Sequence, residues 1–147
     1  MRAVATRVDS ASVEIDGRVN GSIGKGLLVL LGVHQEDTEA EAKKLADKLC
    51  GLRIFEDEAG KMNVNPADAG AELLIISQFT LFADCRSRRP GFSKAARPEL
   101  AIPLYELVLS ECRARGFKVE TGVFAAEMKV ASVNDGPVTI LLDTKEL

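Results

Sequence analysis

The chain has 147 residues, 46% hydrophobic and 28% charged, with a net charge of −3. This implies one domain with an ordinary core and no global positive charge of the kind that marks a nucleic-acid binder. One histidine and three widely spaced cysteines exclude the usual zinc sites and a disulfide framework, and three free thiols fit a reducing cytosol.

Arg2 to Val8 has strand character. Ser12 to Ile15 alternates, Asp16-Gly17 is a hairpin signal, and Arg18 to Asn20 resumes the strand. The apolar run Leu27 to Val33 has the length of a strand covered on both faces and is too short to span a bilayer. Met1-Arg2 leads directly into the first strand without a signal-peptide core, so a cytoplasmic protein with no membrane association is expected.

Thr38 to Glu41 has capping-box spacing, in which the Thr hydroxyl and the Glu carboxylate each satisfy an orphan amide. Behind it Ala42, Leu45, Ala46, Leu49 and Leu52 form one helical stripe, with Gly51 as the expected stop. Arg53 to Phe55 reads as a short strand, Asp57 to Gly60 as a turn, Met62 to Gly70 as loop and Leu73 to Ile76 as a second buried strand. Ala83 to Pro98 is irregular and basic. A helix follows from about Glu99, with Leu100, Leu104, Leu107, Val108 and Cys112 on one side and Gly116 at its end. Pro103 fits only a first turn, which places the regular part near Ile102. Phe117 to Val123 is strand-like, Ala125 to Val133 leans towards strand, and Val138 to Leu142 is a strand. Between the last two, Asn134-Asp135-Gly136-Pro137 reads as a hairpin tip: Asp-Gly suits positive φ, and Pro137 has no amide to donate. The fold class is α/β, a single sheet-rich domain over residues 1–147 in β/β/α layers, with barrel-like strands and two main helices on one side.

For chemistry, any triad would have to use His34, and no Gly-x-Ser-x-Gly elbow or phosphate-binding Gly-rich loop is present. His34 itself reads as structural, just past a buried run. Ser77-Gln78-Phe79-Thr80 is polar and ends a hydrophobic strand, where α/β folds place ligands. It offers two hydroxyls, an amide and a ring, equally consistent with strand-end hydrogen bonding. Thr80 as a nucleophile lacks an evident base. Arg86, Arg88, Arg89, Lys94 and Arg97 make a basic stretch suited to phosphate contact or simply to solvation, and Phe82 and Phe92 flank it as candidates for base stacking.

Ser77-Gln78-Phe79-Thr80-Leu81 together with Asn134-Asp135-Gly136-Pro137-Val138-Thr139 resembles the D-aminoacyl-tRNA deacylase family. Arg7-Val8, the Gly26–Val33 run, Arg53-Ile54-Phe55, Gly60-Lys61-Met62-Asn63 and Phe124-Ala125-Ala126-Glu127-Met128 extend the resemblance along the chain. It implies a homodimer that hydrolyses the ester of D-aminoacyl-tRNA, and of glycyl-tRNA mischarged on tRNA. In that reading Ser77, Gln78 and Met128 bind substrate, and Phe79 and Thr80 supply catalysis through backbone amides or the Thr80 hydroxyl. A cis Gly136-Pro137 from the other subunit rejects L-amino acids with its carbonyl oxygens, while Arg86, Arg88, Arg89 and Lys94 meet tRNA. No metal or organic cofactor is implied. Thr6 stands where the family usually carries glutamine, and Gly91 where serine is common. The alternatives are a relative with a trans Gly-Pro bond that accepts small L-aminoacyl-tRNA, and a non-catalytic RNA-binding module.

Overall fold

β1 (Arg2–Ile15) is the strand against which most of the sheet is laid. A computed structural model describes residues 1–147. Along the chain follow β2 (Arg18–Ile23), β3 (Gly26–Gly32), α1 (Glu39–Gly51), β4 (Phe55–Glu56), β5 (Met62–Val64), β6 (Glu72–Ser77), α2 (Pro98–Ala114), β7 (Val119–Thr121) and β8 (Lys129–Asp143).

The hairpin at Asp16-Gly17 forms, with both residues at positive φ (51° and 77°). Past it, β2 and β3 lie end to end along one edge of β1, β2 on its C-terminal half and β3 on its N-terminal half. β8 covers the other edge of β1 along nearly its whole length. β3 pairs in parallel with β6, and β6 in parallel with β7. A Cβ on Gly26 would overlap the Glu72 carbonyl, so the parallel β3–β6 contact requires glycine at its start. The sheet then curls until the Asn20 side chain of β2 donates to the Thr121 carbonyl of β7 at 2.7 Å, which leaves the barrel nearly closed.

Both helices pack on the same side. Leu45, Leu49, Leu104 and Val108 meet Ala3, Ala5, Leu27, Val29, Leu31, Leu73 and Ile75 in the main core. A smaller core on the opposite face gathers Val8, Ala11, Val13, Ile23, Leu74 and Ile76. β1 serves both cores because alternate side chains face opposite sides, Ala3 and Ala5 towards the main core and Val8 towards the smaller one; Asp9, an extra residue relative to β8, then shifts the alternation so that Ala11 and Val13 join Val8. Cys50 and Cys112 meet between the helices with sulfurs 3.6 Å apart, and Cys85 is exposed; all three are free thiols. No helix is long and apolar enough to cross a membrane.

The Thr38–Glu41 capping box forms as expected, with the Glu41 carboxylate 2.6 Å from the Thr38 amide. Four local expectations differ. Gly51 is the last residue of α1, and Leu52 caps it. Met62–Val64 is a strand paired with β4 rather than loop. α2 begins at Pro98, so Pro103 falls in its second turn. It is tolerated because Glu99, whose carbonyl loses its partner, lies on the exposed face, while Ala101, Leu104 and Tyr105 bury the other. Finally, Asn134 to Thr139 is not a hairpin tip. The segments on both sides of it belong to one strand, β8, and both pair with β1.

Candidate active site

Strand β6 carries four consecutive buried residues, Leu73 to Ile76, and then emerges at Ser77. Its position is fixed from three sides. β3 and β7 flank it, and from α2 the buried Tyr105 hydroxyl donates to the Ile75 carbonyl at 2.7 Å. Burial pushes that phenol up to about 12, so it stays a neutral donor. Beyond Ser77 the Gln78 amide makes a last bond to Leu31 at 2.7 Å, and the chain tightens into a 3₁₀ turn over Phe79–Phe82.

The first N–H groups of such a turn have no partner within it. Here they belong to Phe79 and Thr80. No side chain caps the turn, and no loop or cap hydrogen bond takes either amide. The Gln78 side-chain amide donates to the Thr80 hydroxyl at 2.6 Å, and no titratable side chain bonds to that hydroxyl. His34 makes no hydrogen bond to Gln78, Phe79 or Thr80: it is buried against Phe82, and its Nδ1 accepts from the Glu36 amide at 3.1 Å. It is structural, as expected.

A cavity of about 590 Å³ opens at this strand end, with ten of its thirteen lining residues hydrophobic. Ser77, Gln78, Phe79 and Met128 line it together, so four of the expected site residues converge. Its other walls include Phe92 with Ala95 and Ala96 from the basic stretch, and Phe124 to Ala126. Sequence reasoning assigned no site role to Phe124, Ala125 or Ala126. Ala125 sits at φ 63°, which turns this segment sharply over the cavity. Gly122 is a further missed contributor: a Cβ there would overlap the Met128 sulfur, so glycine lets Met128 reach the wall.

Gly136 and Pro137 do not line this cavity within the same chain. They lie in a bulge of β8, where four residues, Asp135 to Val138, oppose the single residue Arg7 of β1. Both are exposed, and the peptide between them is cis. Arg7 braces the bulge from below. Its buried guanidinium donates to the Asp135 carbonyl at 3.3 Å and the Ile54 carbonyl at 2.8 Å, and it lies 3.2 Å from the Asp135 carboxylate. Gly136 has φ 122°, and a Cβ there would sit 2.8 Å from the Val138 nitrogen and 3.2 Å from the Arg7 guanidinium, so only glycine fits.

The model of the D-Tyr-tRNA(Tyr) deacylase family matches residues 4–143. The chain is 58% identical to the D-aminoacyl-tRNA deacylase of Anaeromyxobacter dehalogenans over 148 aligned positions, covering 100% of this chain and 99% of that protein. It is 57% identical to that of Koribacter versatilis, covering 99% of each. The chain belongs to this deacylase family. Among solved structures, one titled c-Myc DNA Unwinding Element Binding Protein is similar at TM-score 0.91 and 39% identity, covering 97% of this chain and 98% of the other. A probable eukaryotic D-amino acid tRNA deacylase shares the fold at TM-score 0.85 and 15% identity, covering 96% and 97%.

In this member of the family the basic stretch is a closed loop. Asp84 and Gly91 exchange both main-chain hydrogen bonds, at 2.7 and 2.9 Å, and the residues between them project into solvent. Asp84 also clasps Arg86, with carboxylate contacts of 2.9 and 3.0 Å to its Nε, and this hydrogen bonding holds the Asp84 carboxyl down to about 2. Arg86 is therefore partly neutralised, whereas the exposed Arg88, Arg89 and Lys94 form no ion pair. Phe82 is not available for stacking. It is buried under the Arg2 guanidinium, 4.7 Å from the ring centre, and against His34. Phe92 is 39% exposed and meets Phe79 edge-on at 5.1 Å.

Proposed function

We propose that the protein hydrolyses the ester of D-aminoacyl-tRNA in the cavity at the end of β6, and that Gly136-Pro137 of a second copy of the chain closes that cavity. Family membership carries the reaction. The observation that carries the site is the uncapped start of the 3₁₀ turn, where the Phe79 and Thr80 amides are free to bind an oxygen that gains negative charge.

Attack of water on the ester carbonyl produces such an oxygen. Two main-chain donors at a fixed turn stabilise it without reorganisation. Ser77 and Gln78 position the amino acid and the terminal ribose, and Met128 packs against the aminoacyl group. No imidazole lines the cavity, and Thr80 has only Gln78 for a partner, which favours the main chain and the substrate's own ribose hydroxyl over a covalent Thr80 intermediate. No cofactor enters this scheme.

Handedness is read by rejection. Carbonyl oxygens of the partner's Gly136-Pro137 bulge, held stiff by Arg7, face the α-carbon and leave room for a hydrogen but not for an L side chain. Glycyl-tRNA escapes rejection for the same reason. A second copy is also what the β8 edge calls for: Val130, Val133 and Leu141 are 42%, 57% and 81% exposed, and a long uncovered edge strand invites pairing. The exposed Arg88, Arg89 and Lys94, with Arg86 beside them, meet tRNA phosphates. The site of action is the cytoplasm, where aminoacyl-tRNA is used.

The test is deacylation of matched D- and L-tyrosyl-tRNA. The D ester is expected to be lost at least about 10²-fold faster than the L ester. Equal loss of both would contradict the gate, and tight tRNA binding without turnover would leave an RNA-binding module.

A further inference from the structure

A second cavity, of about 520 Å³, opens beside the first and shares Phe92 and Ala95 with it. Its lining is more polar than the first, with Gln35, Ser93, Arg97 and Glu99. Its volume falls within the roughly 300–1,000 Å³ typical of small-molecule sites. Ser93 in turn is shared with a third hollow, walled by Arg86 and Arg89. The three hollows thus adjoin in series through shared lining residues, from the Ser77–Phe79 floor to the basic loop.

We propose that this second cavity seats the penultimate nucleotide of the tRNA 3′ end, with its base against the Phe92 ring and its phosphate on the Arg97 guanidinium. The inference rests on reading the first cavity as the seat of the terminal aminoacyl ester. From there the RNA has to leave through an adjoining space, and single-stranded RNA is held by aromatic faces for its bases and cations for its backbone. Phe92 supplies the ring at the boundary between the two spaces. Arg97 supplies the cation. Its contact with Glu99, at 3.8 Å between two highly exposed side chains, is too weak to withhold it from a phosphate. Gln35 and Ser93 offer donors and acceptors to the base edge.

Two substrates separate this subsite from the first: D-tyrosyl-tRNA, and the D-tyrosyl 3′-ester of adenosine, which has no preceding nucleotide. Arg97→Ala is expected to raise KM for the tRNA about three- to tenfold with kcat unchanged, and to lower the salt slope of tRNA binding by about one. Phe92→Leu keeps an apolar wall but removes the aromatic face, and is expected to cost about tenfold in kcat/KM on tRNA. Arg97→Ala should not change hydrolysis of the adenosine ester by more than about twofold, and Phe92→Leu, which also touches the first cavity, should cost the adenosine ester clearly less than it costs the tRNA. Equal losses on both substrates would overturn the proposal and make Phe92 a prop for Phe79. No loss on either would also overturn it, leaving the second cavity outside the tRNA path. Failure of the unsubstituted protein to cleave D-tyrosyl-tRNA would be seen before any variant is compared, and would overturn the deacylase reading and this one together.

Discussion

Strand β6 runs buried beneath two helices, whereas strand β8 lies along the open edge of the sheet. Leu73 to Ile76 of β6 are almost inaccessible, and the chain surfaces only at Ser77, where its own cavity begins. From Lys129 to Thr139, β8 is exposed at nearly every position, and its bulge does not line the cavity at the end of β6 in its own chain. Yet the bulge is as carefully built as the core. A buried arginine braces it, and one of its residues can only be glycine. Such bracing of an exposed feature that stands clear of the cavity in its own chain supports the proposed division of function between chains, with the reaction floor on β6 and the selectivity device on β8.

The sharpest way to break this comparison is to loosen the bulge and leave β6 alone. Arg7→Met keeps the apolar stem but removes the donors to Asp135 and Ile54. The orphaned buried carbonyl of Ile54 is expected to cost about 2 kcal/mol, read from the urea midpoint. Selectivity for D- over L-tyrosyl-tRNA is expected to fall by about 10²-fold, in line with the sensitivity of such sites to small misplacements. Selectivity unchanged in the folded variant would show that the bulge does not police handedness.

The opposite perturbation strikes β6. Tyr105→Phe removes the bond to the Ile75 carbonyl and is expected to cost about 1 kcal/mol while leaving the D/L ratio intact. It also carries a pH signature. The folded protein holds this phenol at about 12 against an ordinary 10.0, so its contribution is complete below pH 10 and is lost as pH rises towards 12. Unfolding midpoints between pH 9 and 12 should decline in the parent protein and decline less in the variant.

A smaller effect lies at the start of β6. The Glu72 carboxylate accepts from the Gly24 amide at 2.8 Å and meets Lys118 at 3.2 Å, and these contacts hold it below its ordinary 4.5. A lowered carboxylate stabilises the fold above its unfolded value, and that share is lost as pH falls through the lowered one. Glu72→Gln should therefore flatten the acid limb of the stability curve, by on the order of 0.5 kcal/mol. An acid limb of unchanged steepness would remove Glu72 from this account.

The same contrast governs how much of the molecule was legible in the sequence. The β6 side was readable because its signals are local: apolar runs of strand length at Leu27 and Leu73, and a capping box whose partners lie three residues apart. The β8 side was misread at Asn134 to Thr139, because Asp-Gly-Pro looks alike in a hairpin tip and in a bulge. What decides between them is pairing of both flanks with β1, more than a hundred residues away, and a side chain, Arg7, contributed from there. Pro103 escapes a sequence reading for a related reason: its local backbone penalty is outweighed by the burial of Leu104, Tyr105 and Val108. The cavity followed the same rule. Ser77 to Phe79 announce themselves as a polar end to a greasy strand, but the wall made by Phe124 to Ala126 comes from a segment with no polar signal, brought across by the fold.

The proposed division of labour between chains is tested most directly by mixing two variants. Gly136→Val disrupts the bulge and is expected to cleave both D- and L-tyrosyl-tRNA, whereas Ala126→Trp fills the cavity and is expected to cleave neither. If each site combines one chain's cavity with its partner's bulge, equal mixing with random two-fold pairing places about half of the Gly136→Val cavities against an intact bulge, so about half of the L-ester activity is lost while the D-ester activity is kept. L-ester activity unchanged by mixing, or a chain that remains monomeric and still cleaves only the D-linked ester, would contradict the account.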